Sequence, residues 1–183
     1  MDNNANARVL LVDGMALLFR AYYASAAYGY IQKTSYGLPT NAVHGFVQYF
    51  LDAVSRFRPS HVVCCWDMGS STFRTEKFAA YKANRAEPPE ELVPQFDLVK
   101  EVTASFGVRN VGASGYEADD CIGTLAARFT DGHKTEVYIL TGDRDMLQLA
   151  GERVYVVIMK KGKSNYEVFR SEEHTSELQS LTN

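Results

Sequence analysis

EVYILTGDRDMLQLA, residues 136–150, is the stretch that decides the fold. EVYILT (136–141) is a short apolar run without polar alternation, the mark of a strand buried on both faces. An acidic turn, Thr141-Gly142-Asp143-Arg144-Asp145, follows it, and DRDMLQLA then reads as a helix. Working outward, the same strand-then-acid arrangement recurs. RVLLV (8–12) runs into Asp13-Gly14 and HVVCCW (61–66) into Asp67-Met68, while RVYVVIM (153–159), a final strand without an acid after it, leads through a turn into YEVF, ending at 169. Helical patterns lie between the strands. Residues 42–57 follow Thr40 and Asn41, both good N-caps, and set Val43, Phe46, Val47, Phe50, Leu51, Val54 and Phe57 on one face. VPQFDLVKEVTASFG (93–107) is a helix with Gly107 as its C′ residue. A short strand near Val108–Val111 then precedes a helix from Glu117 to Phe129. This alternation predicts an α/β fold, a mostly parallel central sheet with helices on both faces.

The chain has 183 residues, and 46% of them are hydrophobic, enough for one domain with a proper core. No apolar run is long enough to span a bilayer, and the polar start leads straight into a strand. The expectation is a cytoplasmic monomer with no membrane partner. Cys64 and Cys65 sit in an apolar run and Cys121 in a helix, which suits reduced, buried thiols. The four histidines show no metal-ligand spacing, which argues against zinc. Net charge is −3, unusual for a protein that handles nucleic acid unless acids and bases are segregated. After Phe169 the apolar pattern stops. Arg170 to Ser180 resembles a translated sequencing adapter, so the expected domain is 1–169, with 170–183 foreign to it.

Open parallel sheets bind ligands beyond the carboxyl ends of their strands. Asp13, Asp67, Asp143 and Asp145 follow strands, and Glu117, Asp119 and Asp120 open a helix. Asp119 lies three residues before Ile122, on the stripe continued by Leu125, Ala126 and Phe129, so it points along the sheet edge rather than to solvent. An acid in any one of these places can be a simple cap or turn residue. Four elements delivering acids to one edge point instead to cation binding, because like charges so close need neutralising. Oxygen donors alone select Mg²⁺ or Mn²⁺. Two such ions suit phosphodiester hydrolysis, polarising the phosphate, activating water and stabilising the departing oxygen.

The segment 71–92, STFRTEKFAAYKANRAEPPEEL, enters directly after Asp67. Phe78, Lys82 and Arg85 share a helical face, with Tyr81 beside them and Arg74 and Lys77 earlier. Cations interleaved with aromatics suit a grip on single-stranded nucleic acid, although a solvated amphipathic helix has the same pattern. Pro88-Pro89 ends the segment.

Taken together, LLVDGMALLFRAYYA, VVCCWDMGSSTF, YKANR, GYEADDCIGTLA and ILTGDRDMLQL resemble the 5′→3′ exonuclease family. That family includes the nuclease domain of bacterial DNA polymerase I, phage flap endonucleases and stand-alone bacterial enzymes. CCWDMGS is most similar to the stand-alone enzymes of Bacillus-type bacteria. The resemblance implies a PIN-like, resolvase-like nuclease domain with a helical arch insertion. It implies a divalent-metal-dependent 5′→3′ exonuclease or 5′-flap endonuclease acting on DNA 5′ flaps, nicks and single-stranded ends in replication and repair. By motif, Asp13, Asp67, Glu117, Asp119, Asp120 and Asp143 correspond to a first metal cluster and Asp145 to the start of a second. Lys82 and Arg85 correspond to arch residues at the scissile phosphate, with Tyr81 as a base-stacking partner. Arg20 and Tyr22 correspond to further substrate contacts. In the family the chain continues past the 153–169 hairpin into two more metal-binding aspartates and a helix-hairpin-helix element, neither supplied by 170–183.

Other readings stay open at this point. Strand-end aspartates with Thr141 and Lys160 are also found in phosphoryl-accepting receiver domains, which do not need the acidic triplet or the basic insertion. A fragment that binds metal and single strands without cutting, and a PIN-type ribonuclease, are the remaining alternatives.

Overall fold

The structure, a computed structural model, describes residues 7–29, 31–69, 74, 77, 78, 87–132, 134–162 and 164–171. Tyr81, Lys82 and Arg85 of the basic segment, and residues 172–183 of the tail, lie outside the described residues.

A six-stranded sheet has the order β3-β2-β1-β4-β5-β6. β1 (Arg8–Asp13) lies parallel to both β2 (His61–Cys65) and β4 (Glu136–Thr141). β3 (Arg109–Val111) continues the parallel set beyond β2, and β5 (Val154–Met159) beyond β4. Only β6 (Tyr166–Phe169) runs antiparallel, on the far edge. The chain builds outward from β1 in one direction and then from β4 in the other. The order therefore reverses between these two central strands, leaving a crevice at their carboxyl ends.

The strands lack polar alternation because both faces are covered. Leu10, Val12, Cys64, Leu140 and Val157 face α1 (Gly14–Ala26), α2 (Asn41–Phe57) and α3 (Gln95–Ser105). Val9, Leu11, Cys65, Val137, Ile139 and Val156 face α4 (Ala118–Thr130) and a 3₁₀ helix (Arg144–Leu149). The aromatic side of α2 anchors the first layer. Phe46, Phe50 and Phe57 are buried, each contributing about 1.5–3 kcal/mol by its removal from water. All three cysteines are free, and burial holds the Cys64 thiol well above its ordinary range and pushes Cys65 up to about 12. Neither is a nucleophile at neutral pH.

The predicted elements are present with local corrections. The 93–107 helix starts at Gln95, but Gly107 has the expected left-handed backbone, φ 76°. Its N–H donates to Ala104 O at 2.9 Å while Val108 N–H donates to Thr103 O at 3.1 Å, a Schellman closure. Leu51 is 50% exposed and so off the buried face of α2, where Ala53 takes a core position instead. DRDMLQLA forms a 3₁₀ helix rather than an α-helix, opened by Asp143, whose carboxylate accepts from Asp145 N–H at 2.8 Å. α1 is an addition. Its segment GMALLFRAYYASA has few polar residues to mark a solvent face, so helical periodicity is weak there. No helix among the described residues is long and apolar enough to cross a membrane.

Candidate functional site

Asp13 is both the last residue of β1 and the N-cap of α1. It is 4% exposed. Its Oδ1 accepts from Ala16 N–H at 3.0 Å and its Oδ2 from the Thr141 hydroxyl at 2.7 Å, across from the end of β4. Gly14 makes this placement possible, since a Cβ there would fall 2.5 Å from the Trp66 ring. The missing side chain lets the first turn of α1 close onto Trp66, and Asp67 follows directly. Asp67 Oδ1 in turn accepts from Ala118 N–H at 2.7 Å, so it satisfies the first amide of α4 from another element.

These contacts gather the acids around one cavity of about 400 Å³ at the crevice between β1 and β4. Asp13, Asp67, Glu117, Asp119 and Asp143 line it, and Met15, Phe19 and Tyr23 of α1 form an apolar wall. The N-termini of α1 and α4 both open towards it, and their partial positive charge offsets some of the acid repulsion. Burial is the main cause that raises the Asp13 pKa. The Ala16 and Thr141 hydrogen bonds oppose the rise, and the charges of Asp67 and Asp143 add to it.

Among the described residues no three of these side chains converge tightly enough to wrap one ion as they stand. Turning them inward is opposed by their own repulsion until a cation is present. The donor set is nevertheless that of a hard divalent ion. It consists of carboxylate oxygens on a rigid strand end and two helix starts, with no histidine or thiol lining the cavity. A buried carboxylate whose ionisation is disfavoured, facing further acids, is the arrangement that a bound cation relieves.

The other predicted residues that the structure describes lie outside the cavity lining. Asp120 is outside the cavity lining and holds Arg74 in a two-pronged ion pair, 2.7 Å at each nitrogen. Asp145 is exposed on the 3₁₀ turn and also outside the lining. Tyr22 is 5% exposed and packed in the core near Glu91, while its neighbour Tyr23, 56% exposed, reaches the cavity. Arg20 donates to the Lys160 carbonyl and lies 5.8 Å from the Tyr49 ring centre. Lys77 is exposed. Thr141 is buried against Asp13 and Lys160 pairs with Glu167 at 2.7 Å, so Lys160 does not meet the strand-end acids as a receiver domain would need. Phe19 and Tyr23 were not singled out from the sequence. Their spacing of four on a helix that begins at a site aspartate was the available signal.

Comparison with known proteins agrees with this geometry. A family model described as 5′-3′ exonuclease, N-terminal resolvase-like domain, matches residues 8–179. A 5′-3′ exonuclease of Bacillus subtilis (strain 168) is 52% identical over 172 residues, 94% of this chain and 56% of that protein. DNA polymerase I of Mycobacterium tuberculosis is 38% identical over 171 residues, 93% of this chain and 19% of the polymerase. The chain thus spans about half the length of the first relative and a fifth of the second. Among solved structures, a bacteriophage T5 flap endonuclease complex with DNA and metal ions shares the fold, with TM-score 0.68, 19% identity, and coverage of 93% of this chain and 60% of that one. With an acid-lined crevice at the reversal point of its sheet and a family match over nearly its whole length, the chain belongs to the 5′-3′ exonuclease family, matching its N-terminal, resolvase-like domain.

Proposed function

We propose that this chain carries the metal-dependent nuclease site of a 5′→3′ exonuclease that hydrolyses DNA phosphodiester bonds at 5′ flaps, nicks and single-stranded 5′ ends. One observation carries the reading: acids from four separate elements line a single cavity at the reversal point of the sheet. The names of the relatives, a 5′-3′ exonuclease and DNA polymerase I, support DNA as the substrate, and the fold match to a T5 flap endonuclease bound to DNA and metal ions supports the flap. The free thiols suit a cytoplasmic setting.

Asp13, Asp67, Glu117, Asp119 and Asp143 are the ligands for Mg²⁺ or Mn²⁺, with Asp145 at the start of a second ion's site. Bound there, the ions supply charge neutralisation of the scissile phosphate and activation of water. The chain's own groups do the rest. The Thr141 hydroxyl and Ala16 amide fix the Asp13 carboxylate in place. Phe19 and Tyr23 shed water from one wall. Lys77 on the described part of the basic segment, with Lys82 and Arg85 beyond it, attracts the phosphate backbone.

The test is cleavage of a labelled 5′-flap DNA by the 183-residue chain in Mn²⁺, in Mg²⁺ and in EDTA, beside an RNA flap of the same sequence. The expected result is metal-dependent cutting of DNA and weak cutting of RNA. A second reading, a binder that does not cut, has one fact in its favour, the 56% span of the Bacillus relative. Binding of the flap without cleavage in any metal would establish it, and preferential RNA cleavage would establish a PIN-type ribonuclease.

A further inference from the structure

Asp120 lies outside the cavity lining and binds the basic segment through both of its oxygens. Oδ1 accepts from Arg74 Nη2 at 2.7 Å. Oδ2 accepts from Arg74 Nη1 at 2.7 Å and from Glu117 N–H at 3.0 Å. Both oxygens are thus engaged, and the two bonds from Arg74 have the planar fork geometry in which arginine best matches a carboxylate. The same guanidinium lies 3.5 Å from Glu117 Oε2, on the rim of the cavity. Arg74 belongs to the basic segment, 46 residues earlier in the chain. Its carbonyl accepts from Phe78 N–H at 2.8 Å, an i to i+4 bond, and Lys77 and Phe78 are exposed.

We propose that Asp120 is a positioning residue rather than a metal ligand: it clamps Arg74 and so fixes the first turn of the basic segment against the N-terminus of α4. This rests on the nuclease reading and deepens it. The metal is held by the acids that line the cavity, and the substrate grip is aligned to them chiefly through the Arg74–Asp120 pair outside it. Asp120 remains in place through its bond to Glu117 N–H, which an asparagine at that position can keep.

The clamp and the two other roles open to these residues give different results in one set of measurements. Flap-DNA affinity is read by fluorescence anisotropy in EDTA, and Mn²⁺ affinity by calorimetry, on the full chain and on Asp120→Asn, Arg74→Gln, the double variant and Asp119→Asn. Circular dichroism checks that each is folded. The clamp predicts that Asp120→Asn and Arg74→Gln each weaken DNA binding about five-fold or more, that the double variant is no weaker than the worse single one, and that Asp120→Asn keeps Mn²⁺ affinity within about two-fold. If Arg74 touches DNA directly, Asp120→Asn frees it and does not weaken DNA binding, which overturns the proposal. Loss of Mn²⁺ affinity in Asp120→Asn equal to that in Asp119→Asn also overturns it, by making Asp120 a ligand. If Asp119→Asn keeps its Mn²⁺ affinity, the metal reading itself fails, while the DNA-binding cycle still decides the clamp.

Discussion

Asp13 and Asp52 are both carboxylates that accept from a hydroxyl across the fold, and they have opposite characters. Asp52, on α2, accepts from Ser164 Oγ at 2.5 Å and Tyr166 OH at 2.6 Å, tying the helix to the β5–β6 hairpin. The Arg56 guanidinium lies 5.7 Å from the centre of the Tyr166 ring, so a cation stands close by. Asp13 has the Thr141 hydroxyl and an amide, but what faces it across the cavity is more acid. The difference separates two uses of a protected negative charge. An acid surrounded by donors is a fastener, and its charge is settled when the chain folds. An acid facing acids is unsettled, and only a ligand from outside completes it.

The sharpest way to break that comparison is to neutralise each acid's environment in turn. Asp13→Asn should lower flap cleavage by on the order of 100-fold or more, because several kcal/mol of charge stabilisation depend on a held cation. In EDTA the same variant should melt higher than the parent by roughly 2–4 °C near neutral pH, the shift that about 1 kcal/mol makes in a chain of this size. The sign follows from the raised Asp13 pKa. Between the ordinary value of 3.8 and the raised one, the folded chain keeps a proton that the unfolded chain has lost, so stability falls as pH rises through that window. The gap between variant and parent should therefore close as pH approaches 4, and a constant gap in a pH series of melting curves would contradict it.

Tyr166→Phe probes the fastener. Removing the hydroxyl leaves Asp52 a donor short, at a cost of about 1–3 kcal/mol and a melting point lower by roughly 2–10 °C, with cleavage unchanged within about two-fold. Burial and the bond to Asp52 raise the Tyr166 pKa above its ordinary 10.0, so this stabilisation is present at neutral pH and is lost only as pH rises beyond that value. Asp131 supplies the smallest effect. It is an exposed acid at the C-terminal end of α4, where the helix dipole disfavours negative charge. Asp131→Asn should stabilise by about 0.3 kcal/mol and leave Mn²⁺ affinity unchanged in the calorimetric titration.

The sequence made the parallel strands readable because a strand covered on both faces has to be apolar throughout, and RVLLV, HVVCC and EVYILT meet that demand with an acid or a turn directly after each. The positions of Asp13, Asp67 and Asp143 were legible for the same reason, since where the strands end is fixed by where the apolar runs end, and that of Asp119 from its spacing to Ile122 on the helix it opens. Asp120 and Asp119 are adjacent in sequence, and nothing local separates them. Their different surroundings come from the helix turning about 100° per residue and from Arg74 arriving from a distant segment. The Asp52 fastener was likewise invisible, since its hydroxyl partners lie more than a hundred residues further along. Tyr22 and Tyr23 show the same limit. Which of two neighbouring tyrosines enters the core depended on the phase of α1, a helix whose few polar residues gave the pattern little to fix that phase.

The central place of β1 has a consequence for how the molecule comes into being. Its inner neighbour on one side is β2, but on the other it is β4, and the side chains of Arg8 and Glu136 join at 2.9 Å across 128 residues. The first of these six strands to be synthesised is thus completed only after the fourth. At roughly 5–20 residues per second, β1 waits on the order of ten seconds for the partner that covers its second edge. Through that interval an apolar strand with an unpaired side is offered to any other chain nearby. Long-range parallel pairing of this kind makes folding slow, and the domain is most open to misassembly before Thr141 has been added.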